Sequence, residues 1–293
     1  MGAALAEASR AARDTFAEVD EALGQHLFRL MREGPEDQLK LTENAQPAIM
    51  AHSLAVLRAW AVSVADKADF VAGHSLGEYS ALAAAGSFDL ATTARLLRLR
   101  GQAMQRAVPV GDGAMAALLG ADLDLARRIA ATAAEGEVCE VANDNDPSQV
   151  VLSGHKAAID RALGLAKEMG AKRAVALPVS APFHCSLMQP AADAMAAALG
   201  ETDIAAPAVP LYANVTAAPT SDPAQIRTQL VEQVTGMVRW RESIKSMADA
   251  GVEAFVEIGG KVLGPMVKRI VPEARVTSVV TIEDIEAVAK EIG

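Results

Sequence analysis

The sequence has 293 residues, 51% of them hydrophobic and 22% charged, and a net charge of −10 at pH 7. Such a chain can bury a large core and is not expected to be disordered, and it has no basic stripe typical of nucleic-acid binders. The two cysteines, Cys139 and Cys185, offer neither a disulfide framework nor a metal site, and no apolar run is long enough to span a membrane. The first residues lack the pattern of a signal peptide, so we expect a cytoplasmic protein.

The first third of the chain is predicted to be mainly helical, because apolar residues recur at helical spacing between glycine and proline breakers. The predicted helices cover residues 3–23, 27–31, a segment after Thr42 that contains Pro47, 78–85 and 90–107. A short strand at residues 69–72 is followed at once by the sequence Gly73-His74-Ser75-Leu76-Gly77. The order around this pentapeptide is therefore strand, glycine-containing turn and helix.

The middle of the chain has a different pattern. Strands are predicted at 114–119, 138–142, 149–153 and 173–177, helices at 123–134 and 155–168, and a loop at 143–147. The resulting order, β-α-β-β-α-β, is typical of ferredoxin-like units. We therefore predict a small ferredoxin-like subdomain at residues 111–178, inserted into a larger domain made of residues 1–110 and 179–293.

The last third returns to alternating strands and helices. Strands are predicted at 209–214, 253–258 and 275–280, and helices at 186–199, 223–233, 239–250 and 263–270, with one more helix at the end. This alternation predicts a mostly parallel sheet with helices on both faces. The predicted fold class is α/β, a hydrolase-like sheet flanked by helices with the inserted subdomain.

The pentapeptide around Ser75 has the G-x-S-x-G pattern of nucleophilic serines, in the strand–turn–helix context that the chemistry needs. The helix that follows would place backbone N–H groups and its positive dipole end beside a developing oxyanion. The alternative is a glycine loop with a purely structural role. The context on both sides favours the nucleophile.

A nucleophilic serine needs a base, and His184 is the best of the five histidines. It lies in the loop Ala181 to Cys185, just before a predicted helix, where catalytic groups tend to be found. His74 is adjacent to Ser75, but neighbouring residues on a turn point apart, so it is assigned to the pocket wall. The remaining histidines fall within or at the start of predicted helices: His26, His52 and His155.

The segment Gly73 to Leu82 resembles the nucleophile segment of malonyl-CoA:acyl-carrier-protein transacylases. These are the stand-alone relatives of the acyltransferase domains of fatty-acid and polyketide synthases. The resemblance extends over almost the whole chain, through further motifs in family order. They are Thr42–Pro47, Arg100-Gly101, Gly113–Met115, Gln149–Val151, Phe183–Cys185, Asn214–Thr216 and Val256–Gly259.

The resemblance implies that Ser75 becomes acylated, that His184 is its base and that the N–H of Leu76 is an oxyanion donor. It implies that Arg100 pairs with the free carboxylate of the malonyl group, a role suited to a permanently charged, bidentate donor. Without the resemblance, Arg100 would be assigned to a solvated helix face. The backbone carbonyl of Gln233 is implied to orient the histidine, a role for which its side chain would be nearly irrelevant.

Two further residues match pocket positions of the family. Gln46 matches a pocket-lining glutamine, although an ordinary polar helix position explains it equally well. Phe183 resembles the aromatic residue of malonyl-selective members, where its ring would crowd the α-methyl group of methylmalonyl; simple packing is the alternative.

The sequence departs from the family at its start. Family members begin with a strand and a Gly-Gln-Gly-Ser-Gln loop, whose second glutamine supplies another oxyanion N–H. Met1-Gly2 matches the family after that loop. We therefore expect one sheet strand to be lacking and the Leu76 N–H to be the remaining oxyanion donor.

The predicted activity is transfer of a malonyl group from malonyl-CoA to the phosphopantetheine thiol of acyl carrier protein, through malonyl-Ser75. Malonyl-CoA, coenzyme A and acyl carrier protein are the implied partners, with no metal or redox cofactor, nucleic acid or membrane. One alternative is a serine thioesterase or hydrolase, which would need an acidic residue to orient the histidine. Another is a carrier-binding scaffold with impaired catalysis, which the lacking N-terminal segment would favour.

Overall fold

A computed structural model describes the backbone of residues 1–292 and the side chains of residues 1–290, within which the chain forms fifteen α-helices and nine strands. The elements before the small subdomain are α1 (Ala3–Ala8), α2 (Arg10–Leu23), α3 (Leu27–Glu33), α4 (Glu36–Lys40), α5 (Thr42–Trp60), α6 (Val64–Lys67), β1 (Val71–Ala72), α7 (Gly77–Ala84) and α8 (Leu90–Ala107). The next are β2 (Gly113–Leu119), α9 (Leu123–Ala134), β3 (Cys139–Asp146), β4 (Gln149–His155), α10 (Lys156–Leu165) and β5 (Arg173–Ala176). After a 3₁₀ turn at Ser186–Met188 come α11 (Gln189–Gly200), β6 (Leu211–Tyr212), β7 (Pro219–Thr220), α12 (Pro223–Thr235), α13 (Trp240–Asp249), β8 (Ala254–Ile258), α14 (Leu263–Ile270), β9 (Arg275–Val279) and α15 (Ile282–Ile292).

The first predicted helix is in fact two helices. Ser9 leaves the helical conformation, with φ −127° and ψ 124°, and its side chain accepts a hydrogen bond from the N–H of Ala12. Ser9 is therefore the N-cap of α2, a role for which serine is among the preferred residues. The sequence predicts one continuous helix over residues 3–23, because apolar residues recur at helical spacing on both sides of Ser9.

Helix α5 contains Pro47 one turn inside its start rather than in its first turn. Proline has no N–H, so the carbonyl of Glu43, four residues earlier, lacks its usual helical partner. Arg98 on α8 donates to this carbonyl through Nη1 at 3.1 Å. The carbonyl that Pro47 leaves without a helical donor therefore joins α5 to α8, the two longest helices of the large domain.

The large domain contains the predicted parallel strands, divided between two sheets. Strand β1 pairs in parallel with β6, opposite which β7 runs antiparallel, and β8 pairs in parallel with β9. Both β1 and β6 are shorter than predicted, with two residues each. The helices cover these strands around a core that includes Phe16, Met50, Leu82, Leu97, Met195, Leu211 and Leu230. The α/β fold class is confirmed.

The small subdomain has the predicted β-α-β-β-α-β order. Its four strands form one antiparallel sheet in the order β3-β4-β2-β5. It has a hydrophobic core of its own, which includes Leu118, Ile129, Leu152 and Ile159. We propose domain boundaries near residues 110 and 178, because a separate core is what an inserted folding unit requires.

The predicted loop at 143–147 is wrong, because β3 continues to Asp146. The extra residues are held by the large domain: the N–H of Asp144 donates to the carbonyl of Val238 at 3.0 Å, and the N–H of Val238 donates to Ala142 at 2.9 Å. A run of Asn and Asp predicts a turn when only local preferences are considered. Here pairing across the domain boundary overrides that preference.

Ion pairs strengthen the same boundary. Arg241 on α13 binds both carboxylate oxygens of Asp144, and Arg269 on α14 binds the fully buried carboxylate of Asp146 at 2.8 Å. A buried carboxylate is tolerated only when paired in this way. These contacts fix the position of the small subdomain beside the turn that carries Ser75. No helix among the described residues has the length and apolar character needed to cross a membrane.

Candidate active site

Ser75 lies on the sharp turn between β1 and α7. Its backbone is left-handed, with φ 54°, a conformation uncommon for residues other than glycine. A Cβ atom on Gly73 would lie 1.9 Å from the carbonyl oxygen of Gly77, so Gly73 is required by the close approach of the chain to itself. A Cβ on Gly77 would meet no atom within 4 Å. Of the two glycines of the motif, only the first is demanded by sterics.

Asn214, two residues after the end of β6, holds this turn in place. Its Oδ1 accepts from the N–H of Ser75 at 2.7 Å, and its Nδ2 donates to the carbonyl of Gly73 at 2.7 Å. A single amide side chain therefore satisfies one donor and one acceptor of the strained turn. Sequence reasoning did not assign Asn214 a role, although its position shortly after the strand that pairs with β1 was a usable signal.

The hydroxyl of Ser75 and the imidazole of His184 are in direct contact, with Oγ and Nε2 separated by 2.7 Å. The other ring nitrogen, Nδ1, lies 2.9 Å from the carbonyl oxygen of Gln233 and 3.2 Å from that of Gly236. Because a carbonyl can only accept, Nδ1 carries the proton and Nε2 is left as an acceptor for the serine hydroxyl. This is the geometry that a general base requires.

His184 is held in its neutral form. Its side chain is buried, and its own backbone is left-handed, with φ 57°. Burial, together with the positive charge of Arg100, lowers the pKa of His184 to about 3. A neutral imidazole beside a serine hydroxyl is ready to accept a proton throughout the physiological pH range.

Arg100 is buried beside the serine and does not lie on a solvated helix face. It is 1% exposed, and its Nη2 donates to the Oγ of Ser75 at 3.1 Å. The guanidinium also donates to two amide oxygens, from Nη1 to Gln46 at 2.7 Å and from Nη2 to Gln233 at 2.8 Å. Among the described residues no carboxylate contacts it directly, so a buried cation without a direct ion pair lies next to the nucleophile.

Gln46 on α5 fixes one side of this guanidinium. Its Nε2 donates to the hydroxyl of Thr42 at 2.9 Å and contacts the Sδ of Met104 at 3.6 Å. Both contacts orient the amide so that its oxygen points at Arg100. The side chain is 4% exposed, so the interpretation as an ordinary polar helix residue does not hold.

The side chain of Gln233 fixes the other side of the guanidinium, a contact separate from the backbone carbonyl that meets His184. It is completely buried, and its Nε2 donates to the carbonyl of Ser75 at 3.0 Å and to Oε2 of Glu78 at 2.7 Å. Its Oε1 accepts from Arg100. Gln233 thus contacts His184 through its backbone carbonyl, and Ser75 and Arg100 through its side chain.

Glu78, in the first turn of α7, is a buried carboxyl group that sequence reasoning missed. Its Oε2 accepts from Gln233 and, at 3.3 Å, from the N–H of Asn214, whereas its Oε1 has no partner among the described residues. Burial raises the pKa of Glu78 to about 7. The motif Gly-His-Ser-Leu-Gly-Glu contains this residue, but its inward direction is visible only in the folded chain.

The other predicted site residues surround the turn. His74 contacts the small subdomain through a bond of 2.8 Å between Nε2 and Oδ1 of Asn145, and burial lowers its pKa. The N–H of Leu76 has no acceptor among the described residues and stands at the start of α7, beside Ser75. Phe183 packs between the core of the large domain and a small apolar cluster, Met115, Ala117, Ala142 and Val151.

A serine hydroxyl bonded to a neutral histidine, on a strand–turn–helix of an α/β fold, defines the class of proteins with a serine nucleophile for acyl groups. Residues 1–271 match the family model of the acyl transferase domain, and the chain belongs to that family. No cluster of metal-ligating side chains is present among the described residues.

Similar proteins have been characterised or solved. The chain is 46% identical to the malonyl CoA-acyl carrier protein transacylase of Escherichia coli K12 over 259 residues, which are 88% of this chain and 84% of the relative. It is 52% identical to the acyl-carrier-protein-S-malonyltransferase of Bartonella henselae, whose crystal structure superposes with a TM-score of 0.97 over 100% of this chain and 95% of the other. A third similar structure, at 40% identity and a TM-score of 0.95, covers 99% of this chain and 94% of the other, and holds a malonyl-transacylase in complex with a type II polyketide synthase acyl-carrier protein.

Proposed function

We propose that the protein transfers the malonyl group of malonyl-CoA to the phosphopantetheine thiol of an acyl carrier protein, through a malonyl ester on Ser75. The observation that carries the proposal is the guanidinium of Arg100, which is buried, contacts no carboxylate directly among the described residues and has its Nη2 3.1 Å from Oγ of Ser75. A substrate with a free carboxylate two bonds from its thioester carbonyl would satisfy both groups at once. The relatives named as malonyl transferases support this substrate.

The acylation half-reaction follows from the contacts of Ser75. Its hydroxyl donates to Nε2 of His184 at 2.7 Å, so the imidazole accepts the proton as Oγ attacks the thioester carbonyl. The carbonyls of Gln233 and Gly236 stabilise the imidazolium through Nδ1. The free N–H of Leu76 is directed to the oxyanion. Coenzyme A then leaves as its thiol, with the proton from His184.

Transfer to the carrier uses the same groups in reverse. The phosphopantetheine thiol gives its proton to Nε2 of His184 and its sulfur attacks the malonyl ester carbonyl. The tetrahedral intermediate collapses, a thioester forms, and Oγ of Ser75 recovers a proton from the imidazolium. No step requires a redox change.

The remaining predicted residues have supporting roles in this proposal. Gln46 aligns the Arg100 guanidinium, and the ring of Phe183 limits the space beside the malonyl α-carbon. His74 forms the pocket wall toward the small subdomain through Asn145. We place the reaction in the cytoplasm, where the two buried free cysteines, Cys139 and Cys185, would remain reduced.

The two alternatives are less well supported. A serine hydrolase of the α/β type would orient its histidine with a carboxylate, whereas Nδ1 of His184 meets only carbonyl oxygens among the described residues. A scaffold without catalysis would not need a hydrogen-bonded serine, a neutral histidine and a buried arginine in one cluster.

Intact-mass analysis after incubation with malonyl-CoA tests the proposal. A malonyl adduct on Ser75 that persists until phosphopantetheine-loaded carrier protein is added, and then moves to the carrier, is the expected result. Rapid release of free malonate without carrier would identify a hydrolase, and the absence of any adduct would identify a scaffold.

A further inference from the structure

A second charged group lies in the buried network below Ser75, and the transfer reaction does not use it. The carboxyl group of Glu78 has no measurable exposure, and neither has the amide of Gln233 that it contacts. The Oε2 of Glu78 accepts a hydrogen bond from Nε2 of Gln233 at 2.7 Å. Arg100 donates to Oε1 of Gln233 at 2.8 Å. One amide therefore bridges an anion and a cation, with its donor end toward the anion and its acceptor end toward the cation.

In the part of the chain that the structure describes, Arg100 is the charged side chain that acts on Glu78. Glu78 interacts electrostatically with Arg100 from α8 and with Tyr79 from its own helix, and Arg100 and His74 act electrostatically on His184. Burial keeps the tyrosine and both histidines neutral at physiological pH, because it raises the pKa of the phenol and lowers those of the imidazoles. Arg100 and Glu78 are thus the cation and the anion of this buried network.

The carboxyl group of Glu78 is also unevenly satisfied. Both protein donors that reach it, from Gln233 and Asn214, go to Oε2. Oε1 of Glu78 is buried and has no hydrogen-bond partner within the described residues. An ionised oxygen in this position is costly, and protonation at Oε1 removes the charge without breaking either existing bond.

We propose that Glu78 is the resident counter-charge of Arg100 and takes up one proton from solvent when a substrate carboxylate binds to Arg100. This inference rests on the proposed function, since it requires the malonyl carboxylate at the guanidinium. Before binding, the buried site contains one positive and one negative charge. After binding it would contain two carboxylates and one guanidinium, and like charges at short range disfavour ionisation of the more buried acid.

The direction of the pH dependence follows. Burial already places the pKa of Glu78 at about 7, and a second carboxylate raises it further. Well below pH 7 the group is protonated before substrate arrives, so no proton is taken up. Above pH 7 it is ionised in the free protein, and malonyl binding must be accompanied by proton uptake. Linkage for one such group weakens malonyl binding by about tenfold between pH 6 and pH 8.

The experiment measures proton uptake during acylation in a weakly buffered solution containing a pH-indicator dye, with the adduct quantified by intact mass. The wild-type protein, Glu78→Gln and the control Glu232→Gln are compared with malonyl-CoA at pH 6 and pH 8. Glu232 is exposed on α12 beside Gln233, so its variant removes the same charge outside the network. Ionisation of the released coenzyme A thiol is common to all three proteins and cancels in the differences.

At pH 8 we expect the wild type and Glu232→Gln to take up roughly one proton per adduct more than Glu78→Gln, and at pH 6 we expect no difference. KM for malonyl-CoA should rise about tenfold from pH 6 to pH 8 in the first two and stay level in Glu78→Gln. Equal uptake in all three proteins would overturn the inference. If Glu78→Gln does not fold, proton uptake by the wild type is compared between malonyl-CoA and acetyl-CoA at pH 8. Equal proton uptake per adduct with the two thioesters would overturn the inference, because acetyl carries no carboxylate. Failure of the wild type to form any adduct would instead refute the proposed function.

Discussion

The backbone carbonyl of Gln233 accepts a hydrogen bond from Nδ1 of His184 at 2.9 Å. In many serine enzymes a carboxylate takes this position, and its negative charge raises the basicity of the imidazole. A carbonyl fixes the tautomer equally well but carries no net charge and does not titrate. The histidine of this protein is therefore oriented by a group whose state is independent of pH.

Acylation should consequently persist in mild acid. Since the pKa of His184 is lowered to about 3, the imidazole stays neutral as the pH falls, and we expect the single-turnover rate of Ser75 acylation at saturating malonyl-CoA to stay within about threefold from pH 8 to pH 5. Rapid-quench measurement with labelled malonyl-CoA checks this. A loss of rate with a midpoint near pH 6.5, the ordinary value for histidine, would contradict it. Unlike the rate, the stability of the fold should fall in acid. His184 binds a proton below about pH 6.5 in the unfolded chain but stays neutral in the folded protein, so the free energy of unfolding decreases as the pH falls from about 6.5 toward 3.

Replacing Ser75 with alanine should abolish the malonyl adduct and leave the fold intact. The serine lies on a turn where it is partly exposed, and alanine adopts the left-handed backbone about as readily as serine does. Intact mass after incubation with malonyl-CoA, together with thermal unfolding, measures both effects. Ser80→Ala, on helix α7 directly after the turn, is a matched control and should retain the adduct. An adduct in Ser75→Ala would mean that another group is acylated.

Arg100→Ala should discriminate between two thioesters. Malonyl-CoA loses a charge-assisted contact of roughly 1.5–3 kcal/mol, so its kcat/KM should fall about 10- to 150-fold further than that of acetyl-CoA. Acetyl-CoA should lose some rate as well, because the amides of Gln46 and Gln233 lose a partner. Arg95→Ala, an exposed position on the same helix, is the control. Equal losses for both thioesters would show that Arg100 only supports the local structure.

Gln233→Ala tests the side chain separately from the backbone carbonyl, which alanine retains. The variant removes bonds to Ser75, Glu78 and Arg100, and we expect acylation to slow by about 10- to 100-fold. The melting temperature should fall as well, because buried polar groups lose partners. Glu232→Ala, the exposed neighbour, should match the wild type in both measurements. An unchanged rate in Gln233→Ala would restore the view that only its carbonyl matters.

Arg269→Ala should destabilise the junction between the subdomains. It leaves the carboxylate of Asp146, which is 0% exposed, without its cation, and we expect a loss of about 1–3 kcal/mol in the free energy of unfolding. Urea denaturation measures the difference. Arg275 pairs with Glu253 where both side chains are largely exposed, so Arg275→Ala should change the unfolding free energy by less than about 0.5 kcal/mol. Similar losses for both variants would show that burial of Asp146 contributes nothing.

The nucleophile and the base were accessible to sequence reasoning because each is marked locally: Ser75 by its glycines and flanking elements, His184 by its loop. Arg100 could be assigned only through family resemblance, since the sequence alone makes it one more arginine on a helix. Its burial depends on amides that lie 54 and 133 residues away along the chain. The side-chain contacts of Gln233 and the inward direction of Glu78 were missed for the same reason, because they exist only once α7, α8 and α12 are packed together.

The polar run of β3 shows the same limit in the fold. Aspartate is one of the residues that favour turns. Asp144 and Asp146 nevertheless lie in a strand, where Arg241 and Arg269 from distant helices bind their carboxylates. Prediction from local preference fails where long-range partners provide more free energy than the preference itself. Helix α8, in contrast, was predicted to its end residues, because its periodicity and its Asp89 cap are local.

The left-handed backbone of Ser75 restricts which nucleophiles this framework could ever carry. Serine and cysteine have a single heavy atom on Cβ and tolerate φ 54°, whereas threonine, branched at Cβ, is strongly disfavoured there. Exchange of oxygen for sulfur is therefore open to protein engineering at this position, but exchange of a primary for a secondary alcohol is not. The shape of the turn, held by Gly73 and Asn214, thus restricts the nucleophile to a side chain unbranched at Cβ before any substrate has bound.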